Sequence, residues 1–329
     1  MSIIGNIGGQ SGGGSLTKSI LIVAAPTGST VTVTKGSTTK TAMAKNGEWW
    51  FKNLENGEWT IRATLDGQSA TETYNITQFG VYRRSISYRM TPEFTYTGDY
   101  EIVQDDDTPI ADFASWKGNW KIRFLTSGDF TITKMYGFTG VVDVFLVAGG
   151  GAGHSGGRVG EVNKGWPGGG GGSGETSTNN AKIKENTIYQ IIIGGGGTAN
   201  GGKGGNTSAF GQTANGGFGG YGILYGGGEN SGRGGNGGSG GGQAEKHGGS
   251  SPGSDGNNAP GSRGGKGQGK TTREFSEPGA KLYATGGYGN GNKASGQDNT
   301  GNGGNSGPEG GGYGNGGSGI VVMRNARAA

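Results

Sequence analysis

VVDVFLVAGGGAG, residues 141–153, runs from a strand straight into glycine. An apolar run of this length broken only by Asp143 predicts a buried β-strand. The glycines after it have the most backbone entropy to lose and so favour disorder. Which tendency governs the next stretch decides the fold. Glycine accounts for 82 of 329 residues, and 65 of those lie in 149–319. Only 29% of the chain is hydrophobic, so one conventional core across its whole length is excluded.

Composition alone would make 149–319 a low-complexity tail. The surrounding strands argue for order. VVDVFLVA precedes the segment, TIYQIII (187–193) lies within it and GIVVMR (319–324) closes it. A flexible linker does not end in an apolar strand. The chain has only eight prolines, and glycine does not recur strictly at every third place, which excludes collagen. The ordered solution left is the polyglycine counterpart of polyproline II, with three residues per turn and no internal hydrogen bonds. Each N–H and C=O then needs a partner on a neighbouring helix. Packed polyglycine II helices supply those partners at roughly 1 kcal/mol net per bond.

Upstream the pattern is β. Residues 1–17 read as a flexible Gly/Ser arm. In 18–90, ILIVAA (20–25), TVTVT (30–34), EWWFK (48–52), EWTIRAT (58–64) and TETYNI (71–76) read as strands. Asn46-Gly47, Asn56-Gly57 and Asp66-Gly67 are hairpin signals between them. This spacing predicts a sandwich of about seven strands. Trp49 and Trp50 are expected in its core, with one of the pair able to face outward because neighbours on a strand point opposite ways. Residues 91–329 form the glycine-rich domain: a β frame over 91–148 (FTYTG, YEIV, NWKIRFL, DFTIT and VVDVFLVA), a slab over 149–319, and a closing strand over 319–324. Asp105–Asp107 reads as a solvated loop, with Ca²⁺ as the other use of such a run.

Several functions are excluded or disfavoured. There are no cysteines, hence no disulfides or thiolate sites. The two histidines, His154 and His247, are far apart, so no metal or cofactor site is expected. The start MSIIGNIGGQ has no basic and apolar leader, and ILIVAAP is too short to span a bilayer, so a cytoplasmically made product without membrane insertion is expected. Residues 1–147 carry 13 basic and 14 acidic side chains, and 148–329 carry 15 and 10. The mild, dispersed excess suits an anionic polymer or a solvated surface, and no nucleic-acid partner is expected. GGKGQGKT (264–271) spells a phosphate loop, but no strand precedes it and Pro278 follows closely. We read it as chance in a glycine-rich chain, and we expect no enzyme.

FKNLENGEWTIRATLDG resembles small Ig-like or carboxypeptidase-regulatory-like sandwich modules, which imply a connector. ITQFGVYRRSISY (76–88), VDVFLVAGGGAG (142–153), YQIIIGGGGTANGGKGGNTSAFGQTANGG (189–217) and GGGYGNGGSGIVVMR (310–324) together resemble the glycine-rich tail-fibre and adhesin proteins of bacteriophages. The resemblance implies a virion protein released by lysis, joined to other virion proteins through its N-terminal part. Its slab would then hold loops that bind a bacterial surface glycan or polymer. Homotrimer and monomer both stay open, as does a purely structural virion decoration that binds no receptor. The non-glycine interruptions 158–167, 221–225, 243–253 and 270–283 are the candidate loops. Trp166, Tyr225, Phe275 and Tyr283 could stack on sugars there, and Lys246, His247, Lys270 and Arg273 could meet anionic groups.

Overall fold

The computed structural model describes residues 18–326 apart from 66–67, 87–90, 137, 159–164, 167, 223–233, 244–271, 290–291 and 308–310. Its regular secondary structure is almost wholly β-strand, and it divides into two compact units. The first takes residues 1–92, 114–117 and 136–138, and the second the remainder.

The first unit is a sandwich. Its strands are β1 (Ser19–Ala24), β2 (Thr30–Lys35), β3 (Thr38–Met43), β4 (Glu48–Leu54), β5 (Gly57–Leu65), β6 (Gln68–Ile76) and β7 (Val81–Ser85). One sheet has the order β4-β1-β7, the other β3-β2-β5-β6. Alternation in TVTVTK and GEWTIRATL sends Val31, Val33, Trp59, Ile61 and Ala63 inward, against Leu21, Val23 and Phe51. Trp59 is buried, and its indole Nε1 donates to the Glu55 carbonyl at 2.9 Å, so the core carries no unpaired indole there. Gly47 and Gly57 take the positive φ that their Asn-Gly turns require. Trp49 and Trp50 depart from the sequence reading. They are 41% and 44% exposed, because β4 is an edge strand and only Phe51 and Leu54 of its aromatic and apolar residues are buried.

The second unit begins with β8 (Glu93–Tyr96), β9 (Tyr100–Val103), β10 (Lys121–Phe124), β11 (Gly128–Lys134) and β12 (Val141–Val147). It continues with β13 (Gly157–Arg158), β14 (Gly165–Trp166), β15 (Thr176–Lys182), β16 (Ile188–Ile191), β17 (Thr207–Ala209), β18 (Gln212–Ala214) and β19 (Ile320–Asn325). The main sheet runs β15-β12-β19-β10-β9, so the closing strand sits at its centre. A second sheet, β16-β11-β8, meets it through edge-to-face aromatic pairs such as Phe124–Phe130. β15 was missed in the sequence because TSTNNAK is polar. It borders β12 at the sheet's margin and none of its residues is fully buried.

Beyond the sheets the backbone hydrogen bonds repeat with a period of three. Gly149 and Ala152 donate to Gly205 and Gly202. Gly150 and Gly153 donate to Gly317 and Gly314, and Gly151 and His154 to Gly172 and Gly169. Successive residues therefore address three different neighbours, and every third residue returns to the same one. This is the screw of a threefold extended helix. The same segment also accepts from Gly217 and Gly220, from Gly197 and Gly201, and from Gly304. It is thus enclosed by other glycine segments on all sides. Residues 169–175 repeat the scheme: 169, 172 and 175 donate to 221, 218 and 215, while 170 and 173 donate to 242 and 239. A packed polyglycine II slab follows from these bonds. Glycine is needed for closeness: a Cβ on Gly150 or Gly151 would overlap the backbone of Asn302 or Phe218, inside the 3.0 Å that real Cβ atoms keep.

Candidate functional site

Segment direction decides where the loops fall. Residues 149–154 leave β12 and run outward, and 169–175 return to β15. Residues 194–197 run out and 202–206 return to β17, while 312–319 return to β19. Residues 215–221 run parallel to 149–154, through bonds from 217 to 149 and from 220 to 152. Residues 285–288 run parallel to 303–306, through bonds from 303 to 285 and from 306 to 288. The described residues that end these segments, 155–158, 168, 198–201, 222, 289, 292–293, 307 and 311, consequently lie at the end of the slab away from the sheets.

That end has a sequence marker. The tetrapeptide GGYG occurs at 219–222, 286–289 and 311–314. Each copy places a tyrosine where a glycine segment meets an outer loop. Tyr221 and Tyr288 are 40% and 46% exposed, and the Tyr313 hydroxyl donates to the Thr198 carbonyl at 3.2 Å. Beside them Ser155 and Asn200 bond reciprocally, at 2.6 Å to the backbone N–H and 2.8 Å to the hydroxyl, pinning two loops together. The recurrence of GGYG could have identified this rim from sequence. The candidate loop 221–225 includes Tyr221, whereas Tyr288 and Tyr313 lie outside the four candidate loops.

The candidate residues are scattered by the fold. Tyr225, Lys246, His247 and Lys270 lie outside the described residues, as does GGKGQGKT. Trp166 is placed by its backbone, opposite Gly157 in a two-residue ladder at the outer end. Arg273, Phe275 and Tyr283 belong elsewhere, which corrects their reading as loop-edge contacts. Residues 272–284 lie on the main sheet. Phe275 and Tyr283 are 7% and 0% exposed and pack with Phe145, Val147, Ile320 and Val322. They fill a core, because among the described residues no second sheet covers this face. The Arg273 guanidinium donates to the Ala280 carbonyl at 2.8 Å and closes the turn.

The strand register explains what docks this segment. Lys121 faces Arg324, which faces Asp143, so one row across three strands is charged. Arg123 lies two residues on, on the same face. Glu274 meets Lys121 at 2.7 Å and Arg123 at 3.3 Å, and accepts the Tyr283 hydroxyl at 3.0 Å. Arg324 pairs with Asp143 at 2.9 Å and Glu277 at 2.7 Å, with its guanidinium 4.0 Å over the Phe275 ring. Asp107 completes the cluster, 2.6 Å from Lys121. The acidic run is therefore no freely solvated loop: Asp107 binds the buried cations, and Asp106 accepts the Thr108 N–H at 3.0 Å.

Burial opposes the charge on Asp107, but the hydrogen bonds and charges of Arg123 and Lys121 outweigh it and hold the carboxyl below its ordinary 3.8. The folded state thus gives up this proton more readily than the unfolded one. The resulting stabilisation is complete above the ordinary value and is lost as pH falls through the folded one. The melting temperature of the second unit is expected to drop on acidification below about pH 4. Asp107→Asn is expected to lower it at neutral pH and to flatten that drop, as calorimetry across pH would record.

A family model described as a glycine-rich domain matches residues 125–326. A solved structure of a DUF3823 family protein from Bacteroides ovatus ATCC 8483 is similar at 14% identity, over 61% of this chain and 98% of that one, with a TM-score of 0.19. A score that low carries no argument about fold or function. No curated protein matches the chain.

Proposed function

The chain belongs to the glycine-rich domain family, and from that premise we propose that it is a bacteriophage virion protein, a tail-fibre or tail-tip adhesin that binds the bacterial surface. One observation carries the reading: the described glycine segments end, and present the three GGYG tyrosines, at the end of the slab opposite the sheets. A scaffold held by backbone bonds tolerates little inside it, whereas loops at one end can vary without disturbing it. The three GGYG tyrosines and the loops 158–167, 222–233 and 243–253 supply the contacts. The rings offer stacking faces to sugars, and Lys246 and His247 offer charge to an anionic envelope polymer. The N-terminal sandwich joins the protein to other virion components, and no reaction is assigned to it.

The test is binding of the labelled full-length chain to host cells and its power to block infection. Tyr221→Ala combined with Tyr288→Ala is expected to lower cell binding at least about 10-fold, the scale of losing two exposed aromatic anchors, with the melting temperature unchanged. A folded wild-type chain that neither binds cells nor blocks infection would leave the structural decoration in place of the adhesin.

A further inference from the structure

The first unit carries a second feature that the adhesin reading does not use. Trp49 and Trp50 on β4, with Lys45, Asn46, Glu48 and Lys52, line an open groove of about 550 Å³. This is within the rough range of 300–1,000 Å³ for small-ligand sites. The sandwich core does not need either ring, since Trp59 and Phe51 fill it. Leaving both indoles about two-fifths exposed forgoes part of the roughly 1.5–3 kcal/mol that fully burying a large apolar side chain gives.

The polar groups around the rings are arranged unequally. The Trp50 indole Nε1 donates to Glu48 Oε1 at 3.2 Å, and Arg83 donates to Glu48 Oε2 at 2.7 Å. The ring is thereby held, and the one carboxylate in the groove is neutralised. Among the described residues, neither Lys45 nor Lys52 has a carboxylate within 4.0 Å of its ammonium group, and both residues are exposed. The groove is thus aromatic and carries two uncompensated positive charges. Flat rings stack on the C–H faces of pyranoses, ammonium groups pair with anionic substituents, and Asn46 can bond hydroxyls. A strand of another chain is the competing occupant of a sheet edge. The edge is blunted against it, because the Lys52 carbonyl already accepts the Lys40 ammonium at 2.7 Å.

We propose that this groove binds an acidic glycan, with Trp49 and Trp50 stacking on its rings and Lys45 and Lys52 holding its charge. The site lies wholly in the first unit and stands or falls independently of the slab's loops.

Calorimetric titration of the full-length chain tests it with three probes: an oligogalacturonate hexasaccharide, a phosphorylated oligomannose and neutral cellohexaose. At least one acidic probe is expected to bind, at least about 10-fold more tightly than cellohexaose and more weakly as salt rises. Which acidic probe binds tells carboxylate from phosphate. Trp50→Ala is expected to weaken binding at least about 10-fold. Trp50→Tyr, which keeps a stacking face, should bind within about 3-fold of wild type. Lys45→Ala with Lys52→Ala should abolish the preference for acid. Failure of both acidic probes, or Trp50→Ala binding as wild type does, would overturn the proposal. So would a wild-type dimer in sedimentation that Trp50→Ala dissolves, since the groove would then be an interface between copies.

Discussion

Gly196→Ala is expected to prevent the slab from forming, and Gly195→Ala, one residue earlier, to leave it intact. A Cβ on Gly196 would overlap the carbonyl of Gly316, whereas a Cβ on Gly195 would meet nothing within 4 Å. Overpacking costs about 1–3 kcal/mol where side chains can move aside. Here the obstacle is the neighbouring backbone, whose residue Gly316 also donates to Gly197 and Gly319 to Gly194. Displacing that segment breaks both bonds and shifts the approach to β19. We therefore expect more than about 4 kcal/mol of destabilisation from Gly196→Ala. The change at Gly195 should stay within about 1 kcal/mol, because open space receives the methyl group and restricting the unfolded chain offsets any local cost. Calorimetric melting of both variants checks the contrast, which composition cannot foresee: the two glycines are adjacent in GGGG (194–197).

Glu274→Ala is expected to have the next largest effect. Glu274 is 3% exposed and faces the buried Lys121 and Arg123, with Asp107 as their other acidic partner. Removing it leaves buried positive charge under-compensated, a change that costs about 3–5 kcal/mol. The Tyr283 hydroxyl also loses its acceptor. Burial pushes that phenol's pKa well up, with the Glu274 charge adding to the shift, so it stays a neutral donor at all working pH values. The neighbouring Glu277 makes the instructive comparison. It pairs with Arg324 at 2.7 Å but is 51% exposed, and Glu277→Ala should cost no more than about 1 kcal/mol. Loss of Glu274 should also release residues 272–284 from the sheet, which early proteolytic cleavage after Arg273 or Lys281 would report.

Much of this architecture was legible from local pattern. Strand β12 and strand β19 each read as buried because their residues are apolar at strand length, and both proved central to the main sheet. Five of the seven strands of the first unit follow from its alternation and Asn-Gly turns, whereas β3 and β7 are too polar to stand out. Order in the glycine segments was inferred from the strands around them. The pairing of one glycine segment with another was not legible, since glycines carry no side chains to distinguish partners 50 or 150 residues away. The fate of 270–283 was hidden for a related reason. Its chain of aromatics and charges looks like a surface loop until Lys121 and Arg123, more than 150 residues earlier in sequence, are placed beneath Glu274. Trp49 and Trp50 misled in the other direction: large aromatic residues usually mean core, but an edge strand has only one neighbour to bury them.

Residue-resolved amide hydrogen exchange over 149–319 tests the central claim most directly. If the slab is held by backbone bonds between threefold glycine helices, the amides of Gly150, Gly151, Gly171, Gly172 and Gly304 exchange only through unfolding of the whole second unit. Their protection should then match that of Val144 and Val322 in the main sheet. Exchange of those glycine amides at the rate of an unstructured chain, while the strands remain protected, would contradict the account.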